Sequence, residues 1–192
     1  MGVNAVFLVG FMASGKSSVG QELARRLDWD FVDLDARIES RERQTVPEIF
    51  RDRGEPGFRI AETNALRDLL TEPLKRNRVV ALGGGAFVQE RNRELLRQWP
   101  SVFLEATAAE LWQRSLTDGV ERPLREDPEQ FAKLYAERIP FYRQASVVIE
   151  TTGKQLASIC VEIEGALQLT GSPEDAGLSR IDVTDFGTGE SH

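Results

Sequence analysis

The 192-residue chain is 41% hydrophobic and 29% charged, which suits one soluble globular domain and excludes a disordered or membrane-embedded body. A formal net charge of −7 argues against nonspecific nucleic-acid binding, which needs a clustered basic surface. The single cysteine, Cys160, precludes an intrachain disulfide and argues against a thiolate metal cluster; the one histidine, His192, is the last residue, so any catalysis must use carboxylates, cations, hydroxyls and backbone.

The opening MGVNAVFLVG has no basic stretch or signal-cleavage pattern, and no apolar run approaches the ~20 residues of a membrane helix, so a cytoplasmic protein is expected. Short apolar runs predict strands at Asn4–Val9, Asp30–Asp33, Arg78–Leu82, Ser101–Leu104 and Ser146–Ile149. Between them Val19, Leu23 and Leu27, then Ala61, Ala65 and Leu69, recur at helical spacing. The alternation predicts an α/β fold, a parallel sheet covered by helices on both faces, with a long helical insertion between the second and third strands. Residues 115–127, with mixed charge, Gly119 and Pro123, read as a mobile loop. Residues 1–168 read as the folded domain and 169–192 as an acidic tail, in which Glu174, Asp175, Asp182, Asp185 and Glu190 face only Arg180.

The first strand runs into Gly10-Phe-Met-Ala-Ser-Gly15-Lys16-Ser17, which fits G-x-x-x-x-G-K-[ST], and a helix follows, as that motif requires. Its glycines let backbone N–H groups point at phosphate oxygens, and the helix start adds positive potential. Ala13, Ser14, Gly15, Lys16, Ser17 and Ser18 are therefore candidate ATP-binding residues, with Lys16 on the β and γ phosphates and Ser17 as a hydroxyl ligand to Mg2+. The motif leaves the acceptor open; the absence of an Asn-Lys-x-Asp run argues against a GTPase.

The second strand ends in Phe31-Val-Asp33-Leu-Asp35, two carboxylates at alternate positions and so on one side of an extended backbone. Asp35 reads either as a ligand-facing carboxylate or as the cap of a helix starting near Ala36. Gly83-Gly84-Gly85 after the third strand reads either as a flexible turn or as bare backbone for close ligand approach.

Taken together, GFMASGKSSVG from Gly10, FVDLD, IFRDRGEPGFRIAE from Ile49 to Glu62, ALGGGAF from Ala81, RPL from Arg122 and RIPFYRQAS from Arg138 resemble the shikimate kinase family over about Ala5 to Leu167. The resemblance implies a three-layer P-loop NTPase of the nucleoside monophosphate kinase type, with a five-stranded parallel sheet in the order 2-3-1-4-5, and a monomer. It implies ATP and Mg2+ as cosubstrate and cofactor, and transfer of the γ-phosphoryl group to the 3-hydroxyl of shikimate in aromatic amino-acid biosynthesis. By the same resemblance Asp35 would orient that hydroxyl and accept its proton, Asp33 would hold Mg2+ through water, and Gly83, Gly84 and Gly85 would face the substrate. Arg59 and Arg138 would clamp the substrate carboxylate, Glu62 would fix Arg59, and Phe50 and Phe58 would wall the ring or serve only as core. Arg122 would close over the phosphates with the 115–127 lid and Arg114 would stack on adenine. Three departures stand out: Ala13 where the family usually has glycine, one extra residue between Arg114 and Arg122, and Arg125 after RPL in place of a common leucine. A gluconate kinase-like enzyme and a non-catalytic P-loop regulatory module remain the rival readings.

Overall fold

The computed structural model describes residues 3–73, 75–117 and 127–169. Arg122, Pro123, Leu124 and Arg125 of the expected lid, and residues 170–192 of the expected tail, lie outside the described residues.

Five strands, β1 (Ala5–Val9), β2 (Asp30–Asp33), β3 (Arg78–Ala81), β4 (Ser101–Glu105) and β5 (Val147–Glu150), form one sheet in the order β2-β3-β1-β4-β5. Every pairing is parallel, with Leu8 opposite both Ala81 and Val102, and Asp33 opposite Ala81. The strands differ from their expected bounds by at most one residue at either end. Their side chains alternate between two cores: Phe7 and Val9 face one side, Val6 and Leu8 the other.

The second core is covered by α1 (Lys16–Leu27) and α7 (Leu156–Leu167), which bury Val19, Leu23, Leu27, Ile159, Cys160 and Ile163. Arg26 Nε meets Glu164 Oε1 at 2.5 Å and ties these two helices together. On the other face lie α2 (Leu34–Glu42), α3 (Val46–Thr71), α4 (Glu90–Leu95), α5 (Ala108–Thr117) and α6 (Pro128–Tyr142). They bury Ile38, Ile49, Leu66, Leu111, Phe131 and Tyr142 against Phe7, Val80 and Phe103. Burial on both faces is why the central strands read as continuous apolar runs. Among the described residues, no helix is long and apolar enough to cross a membrane.

Three local features differ from the sequence reading. Helix α5 continues through Thr117, past Ser115 where the loop was expected to begin, and there Ser115 Oγ and Thr117 Oγ1 donate to the carbonyls of Trp112 and Arg114 at 2.7 and 2.8 Å. Leu169, expected in the tail, packs on the α1/α7 core and its N–H donates to the Glu164 carbonyl at 2.9 Å. Helix α3 is broken at Gly54 (φ 65°, ψ −179°), a conformation that glycine adopts at low cost, so a second helical segment starts at Glu55-Pro56 and aims Arg59 and Glu62 at the ends of the strands.

Candidate active site

The carboxyl ends of β1, β2 and β3 are neighbours in the sheet, and the segments leaving them meet there, as ligand sites in open parallel sheets do. β1 leads into the Gly10–Ser17 loop, β2 into Asp33 and Asp35, and β3 into Gly83–Gly85. α3 and α6 bring Arg59 and Arg138 over the same edge.

In the first turn, Gly15 (φ 84°) precedes α1 without any side-chain cap, and the first helical turn has no acidic residue. The leading N–H groups of α1 thus keep their capacity for an anion. Lys16 Nζ folds back along the loop and donates to the carbonyls of Gly10 and Phe11 at 3.0 and 2.8 Å and to Ser14 Oγ at 3.3 Å. Ser14 is buried inside the loop and its N–H donates to the Phe11 carbonyl, whereas Ser17 and Ser18 are exposed at the helix start. Ala13 sits at φ 61°, left-handed backbone that costs a non-glycine residue ~1 kcal/mol, at the position where the resemblance leads one to expect glycine.

Asp33 and Asp35 reach the site differently from the expected strand alternation. β2 ends at Asp33 and the chain turns at once into α2, so Asp35 lies in the first helical turn. Capping falls to Asp33, not Asp35: Asp33 Oδ1 accepts from the N–H groups of Asp35 and Ala36 at 3.0 and 3.3 Å. The other oxygen, Oδ2, accepts from Ser17 Oγ at 3.0 Å. This pairs a hydroxyl with a carboxylate next to the phosphate-binding turn, a donor set that suits Mg2+, which takes oxygen ligands and retains waters. No group of three or more His, Cys, Asp or Glu side chains gathers around a metal position among the described residues. Phosphate oxygens and water would therefore have to complete the coordination.

With capping assigned to its neighbour, Asp35 is released toward the cavity. Its Oδ1 is buried and has no hydrogen-bond partner. Burial holds its carboxyl above the usual range and Asp33 adds to this, against the pull of Lys16 and Arg59. A Cβ at Gly83 would stand 2.6 Å from Asp35 Oδ1, and one at Gly85 would stand 2.3 Å from Arg59 Nη2. The triplet is thus neither a mere turn nor simply a bare floor: at Gly83 and Gly85 the missing side chains leave room for the carboxylate and the guanidinium themselves. Gly84 is less crowded, with its nearest neighbour at 3.6 Å.

Arg59 lies between two carboxylates of its own helix, donating from Nη1 to Glu62 Oε2 at 3.0 Å and from Nε and Nη2 to Glu55 Oε1 at 3.2 and 3.1 Å. Glu62 is fully buried, and Gln89 Nε2 also donates to its Oε2, at 2.6 Å. Desolvation pushes the Glu62 carboxyl up to about 7 despite the attraction of Arg59. Arg138 lies over the Phe11 ring, 5.7 Å from its centroid, and reaches the Gly84 carbonyl at 3.5 Å. Tyr142 Oη donates to that same carbonyl, and burial pushes its phenol up to about 12.

These groups enclose a cavity of about 300 Å³ lined by Met12, Asp35, Val46, Phe50, Phe58, Arg59, Glu62, Gly83–Gly85 and Arg138. Phe50 and Phe58 stack at 4.6 Å between ring centroids and form its apolar wall. It joins two carboxylates, two guanidinium groups and an aromatic surface, which together suit a small hydroxylated acid with an apolar ring face. Arg114 lies apart, on α5, paired with Glu110 and donating to the Thr151 carbonyl at 3.3 Å in the loop after β5. Glu110 titrates below its ordinary range: burial works against this but is outweighed by Thr152, Arg114 and the Gly153 N–H. Sequence reasoning overlooked Tyr142, Gln89 and Glu55. The first stood in plain sight within RIPFYRQAS, but nothing in the sequence distinguishes a phenol bound to Gly84 from one in the core.

The family model for shikimate kinase matches residues 12–168. The shikimate kinase of Geobacter metallireducens is 44% identical over 170 residues, spanning 86% of this chain and 93% of its own, and that of Halorhodospira halophila is 45% identical over 85% and 93%. Among solved structures, the Acinetobacter baumannii shikimate kinase in complex with shikimate superposes with a TM-score of 0.77 at 37% identity, covering 86% of this chain and 94% of that one. Sheet order, site layout and these likenesses agree: the chain belongs to the shikimate kinase family.

Proposed function

We propose that the protein phosphorylates the 3-hydroxyl of shikimate with ATP, giving shikimate 3-phosphate and ADP, and that residues 1–168 carry the whole activity. The observation that carries this reading is the convergence of the Asp35 carboxylate, Arg59 and Arg138 on one small cavity beside an uncapped phosphate-binding turn. Membership in the family favours shikimate over gluconate as acceptor, and a purely regulatory module would have no use for a buried carboxylate aimed at an acceptor.

In this reading Arg59 and Arg138 grip the carboxylate of the acceptor and Phe50 and Phe58 cover its ring. The Asp35 carboxylate then accepts a hydrogen bond from the 3-hydroxyl and takes its proton as the O–P bond forms and ADP leaves. A raised carboxyl suits that task, because a stronger base holds the proton better once it has been transferred. Lys16 exchanges its loop carbonyls for phosphate oxygens, and the N–H groups of Gly15 to Ser18 cradle the phosphates. Mg2+, where bound, supplies positive charge against the phosphate oxygens; Ser17 would ligate it directly and Asp33 through water. Arg114 offers its face to adenine. Arg122 belongs to the same reading as the cation that covers the transferring group, a role worth ~10³-fold in such reactions. The protein is expected to act as a cytoplasmic monomer.

The test is ADP release by the purified protein with Mg-ATP and shikimate, quinate or gluconate in separate reactions. Strong selectivity for shikimate is expected. Faster turnover of gluconate, or ADP release indifferent to any acceptor, would overturn the assignment.

A further inference from the structure

A second cavity, of about 390 Å³, adjoins the acceptor pocket and is lined by Glu55, Pro56, Arg59, Gly85, Val88, Gln89, Arg91 and Arg138. Arg59, Arg138 and Gly85 line both cavities and form the partition between them. Three guanidinium groups thus line this cavity beside one carboxylate, Glu55, while Arg59 keeps Glu62 on its other edge. Among the described residues, neither Arg91 nor Arg138 has a carboxylate partner in hydrogen-bonding or ion-pair reach. Gln89 Oε1 is also buried without a partner, because the amide nitrogen of that side chain is committed to Glu62.

The two edges of Arg59 differ in character. Nη1 meets the fully buried Glu62, a fixed structural contact. The Nε/Nη2 edge is occupied by Glu55 Oε1, whose side chain is 63% exposed. An i,i+4 pair whose carboxylate is this well solvated is weak. Glu55 therefore seats a carboxylate oxygen on the second-cavity edge of Arg59 with almost no energy holding it there, and shows what chemistry that edge accepts.

We propose that this second cavity is a subsite for a small carboxylate anion, which displaces Glu55 from Arg59, is held by Arg91 and competes with the acceptor for Arg59 and Arg138. The competition clause rests on the acceptor reading above; the binding clause does not.

Malonate is the probe, titrated by calorimetry into full-length protein with saturating Mg-ADP, so that the phosphate-binding turn is already filled. Saturable binding is expected, weakened about five-fold or more by Arg91→Ala and tightened about three-fold by Glu55→Gln, and shikimate should displace it. Arg91 lies outside the acceptor pocket and is solvent-exposed, so folding and turnover of shikimate at low concentration should be unchanged in Arg91→Ala. Heat of dilution alone, or equal malonate affinity in wild type and Arg91→Ala, overturns the proposal, since binding that ignores Arg91 belongs to the acceptor pocket. The two readings can fail separately: Arg91-dependent malonate binding without any shikimate turnover leaves the subsite standing and removes the proposed acceptor. Rates that fall at high shikimate only when Arg91 is present identify the acceptor itself as an occupant; inhibition by malonate without that fall identifies a different carboxylate.

Discussion

Ser17 Oγ donates to Asp33 Oδ2 at 3.0 Å while Asp33 Oδ1 caps α2, so one carboxylate both starts a helix and faces the proposed metal position. The two duties separate in Asp33→Asn. Asparagine caps helices about as well as aspartate, so stability should change by less than ~0.5 kcal/mol. The charge proposed to hold Mg2+ is lost, and the Mg2+ concentration for half-maximal rate should rise by roughly 10- to 100-fold. Thermal melts and a Mg2+ titration of the rate check this. A large loss of stability with an unaltered titration would leave Asp33 with the cap alone.

Asp35→Asn tests the proposed base. The shape of the pocket is kept and proton acceptance is lost, so turnover should fall by about 10²- to 10⁴-fold with little change in the KM for ATP. Stability should hold or rise slightly, because Asp35 is a half-buried carboxylate whose charged form is disfavoured. Steady-state rates and melting curves decide the matter; turnover near wild type removes Asp35 from the chemistry.

The parts of this architecture that were legible in the sequence are those encoded locally. All five strands announce themselves as short apolar runs, and Gly10–Ser17 as a turn between strand and helix. The capping by Asp33 was not legible, because Asp33 and Asp35 are equivalent in spacing until the chain is known to leave the strand at Leu34. Nor was the use of Gly83 and Gly85. Their missing Cβ positions are taken up by Asp35 from α2 and Arg59 from α3, side chains distant in sequence that only the folded sheet brings to them. Helix α5 runs to Thr117, past Ser115 where the loop was expected to begin, with the Ser115 and Thr117 hydroxyls turned back onto the helix, an arrangement that composition does not reveal.

That close approach predicts an ordering among three alanine substitutions. In Gly85→Ala the new methyl would meet the Arg59 guanidinium at 2.3 Å, so Arg59 must shift and the KM for shikimate should rise about ten-fold or more with a smaller change in kcat. In Gly83→Ala the carboxylate of Asp35 is displaced instead, and kcat should carry the loss, about 10²-fold. Gly84→Ala has 3.6 Å to its nearest atom and should be the mildest of the three. Steady-state kinetics on the set, with shikimate varied at saturating ATP, provide the measurement. A Gly84 variant as impaired as the other two would mean that the triplet acts through backbone freedom rather than through the side chains packed on it.

Glu62 should leave a signature in the pH dependence of stability. Its carboxyl titrates near 7 in the folded protein against an ordinary value of 4.5, chiefly because burial disfavours its charge. A folded-state pKa raised above the unfolded one means that this group's contribution is complete below 4.5 and is lost as pH rises through about 7. Between about pH 5.5 and about pH 8 the loss amounts to roughly 2 kcal/mol at ~1.4 kcal/mol per unit. Glu62→Gln has no titrating group, so its stability measured against wild type by urea unfolding should improve by about that amount over the same interval. The comparison between variants cancels the other acids whose titration both proteins share. A difference that stays flat with pH would mean that Arg59 and Gln89 keep Glu62 ionised throughout, and that the ion pair outweighs desolvation in this pocket.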